Sequence, residues 1–420
     1  MERSAGCHPM KVSGGKGPIY VVLIGRFMTN VGTFMVIPFL VVYVTQHEAM
    51  TGLQAGALFA VLQLTRRGLS FMAGWASDRF GAERALTMGL LLEAAAYLSL
   101  TAVGRSFPAW AITIALLGFG GSMSNNGARS LLAASRSAGA VVNLSRYYVS
   151  INAAAMIGPL IGAALLTAGL SRLAFLTAAS LHLLFAAASA VLLRGVHEPS
   201  AVALRVSDMI AGLREHHLVV YGTLVASGWF LISQFRIALP LTIIHQRLPG
   251  GWIGPLTAVN AIVVMITVSL IGKRVAERGT VGKLNILSTS GIVLGFGWLL
   301  CAFGGVTPLV GAVIVISVGE SLFCSVVDAV MMSFAPEGRI GLYLGYSTMA
   351  WGVGGLLAGL TGGLFDLAIG HGALSLFWLG LLIVGTCAAG CIWMTRSYFA
   401  AVAVALQLPE QVAVQKEPAG

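Results

Sequence analysis

Apolar stretches of membrane-spanning length recur along almost the whole chain, and they leave it few ways to fold. They lie near residues 19–44, 53–75, 85–104, 107–129, 145–168 and 172–194, and again near 217–244, 252–273, 284–303, 307–331, 343–366 and 373–396. A bilayer core needs about 20 apolar residues per helix, and in lipid only helices or closed barrels satisfy every backbone polar group. Charge is correspondingly scarce: 10% of residues are charged, 57% are apolar, and mean hydropathy is +0.88. A soluble domain carries about 25% charged residues. The expectation is an all-α membrane protein with twelve transmembrane helices. Residues 1–18 are polar and basic and lack the apolar core of a secretory signal, so the first helix is expected to be retained.

An even number of spans places both termini on one side. Taking that side as the cytoplasm puts 18 of the 25 Lys and Arg residues in its loops, tails and helix edges. The opposite loops hold three, Arg105, Arg172 and Arg247, and four fall inside spans. This asymmetry predicts cytoplasmic termini. It also accounts for the net charge of +10 without nucleic acid. The five cysteines form no metal-spaced set and read as reduced apolar residues. No metal or cofactor is expected.

The two halves of the chain echo each other. Pro38 and Pro240 end similar runs, Asp78-Arg79 answers Glu277-Arg278, and Gly158 with Gly162 answers Gly355 with Gly359, at offsets of 202, 199 and 197 residues. A repeat near 200 residues implies two pseudo-symmetric six-helix bundles with a site between them. The expected parts are a cytoplasmic tail 1–18, a first half 19–194, a linker 195–216, a second half 217–396 and a cytoplasmic tail 397–420. The linker carries Val206, Met209, Ile210 and Leu213 at helical spacing among charged residues, which fits an amphipathic surface helix as well as an ordinary linker.

After the second span the sequence reads Gly74-Trp-Ala-Ser-Asp78-Arg79-Phe-Gly81-Ala-Glu-Arg84. Gly81 permits a tight turn between helices, and Asp78 can accept from a helix N-terminus. This segment resembles the loop signature of the Major Facilitator Superfamily at Gly74, Asp78, Arg79 and Gly81. It departs at Ala82 and Glu83, with Arg84 as a substitute basic residue. Gly158-Pro159-Leu-Ile-Gly162 resembles the core of that superfamily's antiporter motif, with Ala154 and Ala163 where glycines are usual. Gly319-Glu320, the segment Ala335–Arg339 and Gly362-Gly363-Leu-Phe-Asp366 resemble the second half of its multidrug exporters. The resemblance implies a bacterial inner-membrane location, alternating access, a conformational latch at the loop, and export by proton antiport.

Charges at bilayer depth are functional suspects by default. In the first half these are Arg26, with Asn30 one turn on, the stripe Gln63, Arg66, Arg67 and Ser70, and Glu93. Glu93 reads either as glue for an arginine or as a functional acid. His182 reads as a packed histidine. In the second half Gln234 and Arg236 lie in the outer part of the seventh span, and Asn260 is a candidate substrate contact. Glu320 lies near mid-membrane and is the candidate proton carrier, since protonation would neutralise it and release any arginine it attracts. The arginine surplus suggests anionic or carboxylated substrates such as a metabolite or siderophore. No nucleophile–base set, HExxH, GxSxG or Walker sequence is present, which argues against an enzyme and against direct ATP coupling. The expected partners are a small-molecule substrate, protons and membrane lipid, with the chain acting as a monomer. An importer or uniporter of the same fold remains the alternative.

Overall fold

The computed structural model describes residues 17–133, 138–194, 214–335 and 340–414. Most of the linker and both chain ends fall outside these, as do residues 336–339. Among the described residues the chain forms twelve helical stretches and no strand. The first, α1, runs Gly17–Val36, tightens into a 3-10 turn at Ile37–Phe39 and resumes as Leu40–Gln46. Pro38 lies in that turn, where its missing N–H removes a helical bond. The second, α2, comprises Gly52–Gln63, a π-helical turn Leu64–Gly68, and Ser70–Phe80. Then follow α3 (Ala82–Ser99), α4 (Phe107–Ala133), α5 (Ala138–Thr167) and α6 (Ser171–Leu192).

The second half opens with α7, which runs His216–Ser233, makes a 3-10 turn at Gln234–Arg236 and resumes as Ala238–His245. Pro240 cannot donate to the carbonyl of Arg236, so the break falls in the same part of the helix as in α1. The remaining helices are α8 (Ile253–Ala276), α9 (Thr280–Leu299), α10 (Val306–Ser333), α11 (Ile340–Gly370) and α12 (Leu374–Val414). Ten of the twelve stretches are long and apolar enough to cross a membrane. The exceptions are informative. The π-helical turn and the bend at Leu69 divide α2, and α3 spans 18 residues that include Glu83, Arg84 and Glu93.

The packing repeats between halves. In the first, α1 packs on α5 and α6, α3 on α4 and α6, and α2 on α4. In the second, α7 packs on α11 and α12, α9 on α10 and α12, and α8 on α10. Each pair maps onto its partner six helices further along. The main contacts between halves are α2 on α11 and α5 on α8, which the same operation exchanges. Each half buries aromatic side chains inside, Tyr97 and Trp110 in one and Trp298 and Trp378 in the other. Large apolar residues such as Ile112, Val191, Leu270 and Met394 are exposed on the outside. That distribution suits lipid as the surrounding solvent.

Candidate functional site

Two glycine seams hold the halves together at the end of the bundle where α2 begins and α11 finishes. A side-chain carbon on Gly56 would run into the carbonyl of Gly359, one on Gly359 into the carbonyl of Gly56, and one on Gly362 into the carbonyl of Gly52. Such backbone contact is open only to glycine. Asp366 reaches across the seam, and its Oδ2 accepts from the Leu53 N–H at 3.0 Å. It thereby joins Thr51 and Gln54, whose reciprocal bonds cap the same helix start, where the helix dipole favours a negative group. The second seam sets Gly254 of α8 against Pro159 of α5, with the Pro159 carbonyl 2.8 Å from where a Gly254 side chain would begin. Gly158 meanwhile rests on Val31 and Phe34 of α1, and Gly162 on Met35 and Phe39. The Gly-Pro motif therefore seats α5 on α1 and places Pro159 at the seam. Away from this end α8 has no buried residue between positions 257 and 274.

The arginine pair lies where α2 is broken. In the π-helical turn, the Leu69 N–H donates to the Leu64 carbonyl at 2.8 Å, five residues back. The Asn126 amide on α4 donates to the Ser70 carbonyl at 3.1 Å just beyond. A widened turn of this kind is rare and often marks a functional position. Arg66 turns into its own half, where it and Glu93 flank Gly121. A side-chain carbon there would lie 3.3 Å from Arg66 Cζ and 3.0 Å from Glu93 Oε1. Arg67 crosses to the other half. Its Cζ lies 3.6 Å from the centre of the Trp351 ring, which stacks on Trp229 at 4.0 Å and 6°. The N–H groups of both indoles are buried without an acceptor. Arg66, Arg236 and Arg129 are among the charged neighbours of Arg67. Among the described residues, both acid–base contacts within 4.0 Å involve a histidine, so no described arginine is paired with a carboxylate.

Arg26 is buried at 3% exposure. Its Nη1 donates to Ser124 Oγ at 3.1 Å, and Ser124 in turn donates to Glu93 Oε2 at 2.7 Å. Glu93 thus reaches an arginine through a hydroxyl. Its other oxygen, Oε1, lies 3.8 Å from Nε2 of His182 on α6. Asn30 donates to the Arg26 carbonyl at 2.7 Å within α1. In the second half Glu320 Oε2 accepts from Asn260 Nδ2 at 2.8 Å, and the same amide donates to Ser317 Oγ at 2.9 Å. Arg236 is an electrostatic neighbour of Glu320 and of Arg66. Asp328 accepts from Ser347 at 2.6 Å and ties α10 to α11.

Two of the predicted cavity residues are packed within helix contacts. Gln63 is buried against Gly355 of α11, and Gln234 is fully buried and accepts from Thr361 at 3.1 Å. Of the loop residues, Gly81 has φ +94, which only glycine adopts freely, and separates α2 from α3. Arg79 and Arg84 are exposed, and Gly74 has open space where a side chain would begin. The side chain of Asp78, and Pro336, Glu337, Gly338 and Arg339, lie outside the described residues. Sequence reasoning did not single out Ser124, Trp229 or Trp351. Tryptophan in the interior of a span was the available signal, because membrane tryptophans gather at the interfaces.

Comparison with known proteins fits this geometry. The model of the Major Facilitator Superfamily matches residues 22–359. An uncharacterized MFS-type transporter of Mycobacterium tuberculosis is 25% identical over 386 residues, covering 89% of this chain and 91% of its own. The multidrug resistance protein MdtH of Shigella flexneri is 26% identical over 385 residues, covering 87% and 91%. Among solved structures, a nucleoside transporter, NupG, superposes with a TM-score of 0.76 at 14% identity, covering 90% of this chain and 99% of that one. A POT family transporter in complex with a thioalcohol-conjugated peptide gives 0.74 at 13% identity, covering 91% and 96%. At such identities the superpositions speak to the fold alone. With a family match over most of its length, two bundles related by a repeat, and glycine seams between them, this chain is a membrane transporter of the Major Facilitator Superfamily.

Proposed function

We propose that the chain moves a small organic anion across a bacterial inner membrane by alternating access coupled to protons, in the direction of export. The carrying observation is the guanidinium group of Arg67 at the junction of the halves, with arginines as charged neighbours and two unpartnered indole donors beside it. Unpaired cations at this depth are costly and favour an incoming anion. The positive-inside asymmetry puts the termini in the cytoplasm, so the glycine seams close the outer side. Glu320, held by Asn260 near Arg236, is the proposed coupling acid. Export is supported by the antiporter-type motif and by relatives that carry the name multidrug resistance protein.

A specific observation favours a second reading, proton–anion co-transport into the cell. Protonation of Glu320 would remove a negative charge that acts on Arg236, so proton and anion would assist each other's binding. Exchange requires them to compete. Reconstituted vesicles under an imposed pH gradient distinguish the two, with radiolabelled benzoate, citrate and a catecholate as probes. Export predicts that protons entering from the outer face drive probe the opposite way. Probe moving with the protons would establish co-transport, and probe transport unchanged by Arg66→Ala with Arg67→Ala would end the anion reading.

A further inference from the structure

We propose that Glu93 and His182 together form a proton-binding site in the amino-terminal half, separate from Glu320. His182 is fully buried on α6, and its Nδ1 lies 2.7 Å from the Ala178 carbonyl. A carbonyl only accepts, so Nδ1 carries a hydrogen. In a neutral ring the other nitrogen, Nε2, then bears a lone pair. That nitrogen has no hydrogen-bond partner, and it faces Glu93 Oε1 at 3.8 Å. Glu93 is itself 1% exposed.

A lone pair facing a carboxylate in a dry interior is repulsive, and one proton between them converts the contact into a hydrogen bond. Closing the gap to hydrogen-bond distance requires a movement of about 1 Å. The proton belongs to the pair, whichever atom it rests on.

The charged and titratable groups facing the pair come from three helices. Arg26 of α1 acts through Ser124, Arg66 of α2 lies on the other side of Gly121, and Tyr97 of α3 stands 5.1 Å from the His182 ring and donates to Thr33 at 3.2 Å. The two cations repel an added proton and the Glu93 carboxylate attracts it. An anion near Arg66 would offset that opposition, and its departure would restore it. The pair is thus placed to report on occupancy of the cavity. Proton binding here requires neither the anion nor the export reading, and it is measurable without substrate.

The test is a pH titration of the full-length protein in lipid nanodiscs, from about pH 5 to about pH 9, the range over which histidines titrate. Ring nitrogens are followed by 15N histidine NMR, with His182→Gln identifying the His182 signals. Carboxyl groups are followed by infrared difference spectroscopy. One protonation step is expected in wild type, with His182 Nε2 and a carboxyl band changing at the same midpoint. Glu93→Gln should remove the histidine step, and His182→Gln should remove the carboxyl change, while Glu320→Gln leaves both in place. An unchanging wild-type His182 signal would overturn the proposal. So would steps that each survive substitution of the other residue. Should His182→Gln fail to fold, backbone correlations to Leu181 and Leu183 assign the His182 signals in wild type, and the proposal stays open to refutation.

Discussion

The two halves share a scaffold and differ in what they bury. The first half places Arg26, Arg66, Glu93 and His182 around Ser124 and Gly121, a polar cluster inside one bundle in which Ser124 is hydrogen-bonded to both Arg26 and Glu93. The second half holds Glu320 on the amide of Asn260, which also bonds Ser317, and stacks two tryptophans at its surface toward the first half. Helix packing is repeated between them while the polar chemistry is not. Packing follows from small residues at matched positions, which a duplication preserves. The polar residues answer to the cargo, and that need not be symmetric.

Substitutions can break this comparison, beginning with the scaffold. Gly56→Val should have the largest effect, because its side chain meets a backbone carbonyl of α11 that has no way to move aside. Overpacking of this sort costs roughly 1–3 kcal/mol, and transport should fall to background. Thermal unfolding in detergent and vesicle uptake measure the two effects. Gly355→Ala should cost less, since it meets the flexible side chain of Gln63. Equal losses in the two variants would show that backbone contact is not what holds the seam.

The next effect falls on the unpaired cations. Arg66→Ala with Arg67→Ala should weaken binding of an anionic probe by roughly 2 kcal/mol, about 30-fold, as read by equilibrium binding in nanodiscs. Glu320→Gln should leave that binding within a few-fold yet abolish its coupling to a pH gradient, which separates the two halves' roles in vesicle assays. Trp351→Ala removes the ring beneath Arg67. A cation–π contact is worth about 1 kcal/mol, so probe affinity should drop roughly fivefold. Asp366→Asn should have the smallest effect. A carboxylate at a helix N-terminus contributes roughly 0.3–1 kcal/mol, and a change of that size should appear as a slight loss of thermal stability. A loss as large as that of Gly56→Val would identify the Asp366 contact as the principal fastening of the seam.

Much of the fold was legible along the chain because lipid imposes a one-dimensional rule. Each crossing needs its own apolar run, and the runs near 19–44 through 373–396 match the twelve helical stretches. The rule weakens at α2 and α3, where Arg66, Arg67, Glu83, Arg84 and Glu93 interrupt the apolar signal. Arg66 and Arg67 were visible as deep charges. Their division between the halves was not, because adjacent residues carry no mark of which partner each will meet. Glu93 was expected either to glue an arginine or to serve function. The structure sets Ser124 between it and Arg26, and brings in His182, 89 positions away in sequence. Gln63 and Gln234 read as cavity residues from their depth, yet both are packed into helix contacts.

The sequence by itself determined that this protein lives in a membrane, that it is built as two repeated helical bundles, and which few charges it carries into the bilayer. Hydropathy, repeat spacing and charge asymmetry are properties of the chain read in order. Only the tertiary structure decided that the glycines of α2 and α11 meet backbone to backbone, that Arg67 lies on Trp351, and that His182 turns a nitrogen without a hydrogen-bond partner toward Glu93. Those facts depend on angles and distances between helices far apart in sequence. At a separation of a few ångströms, the burial of a charge and the identity of its neighbour decide whether it is structural or functional.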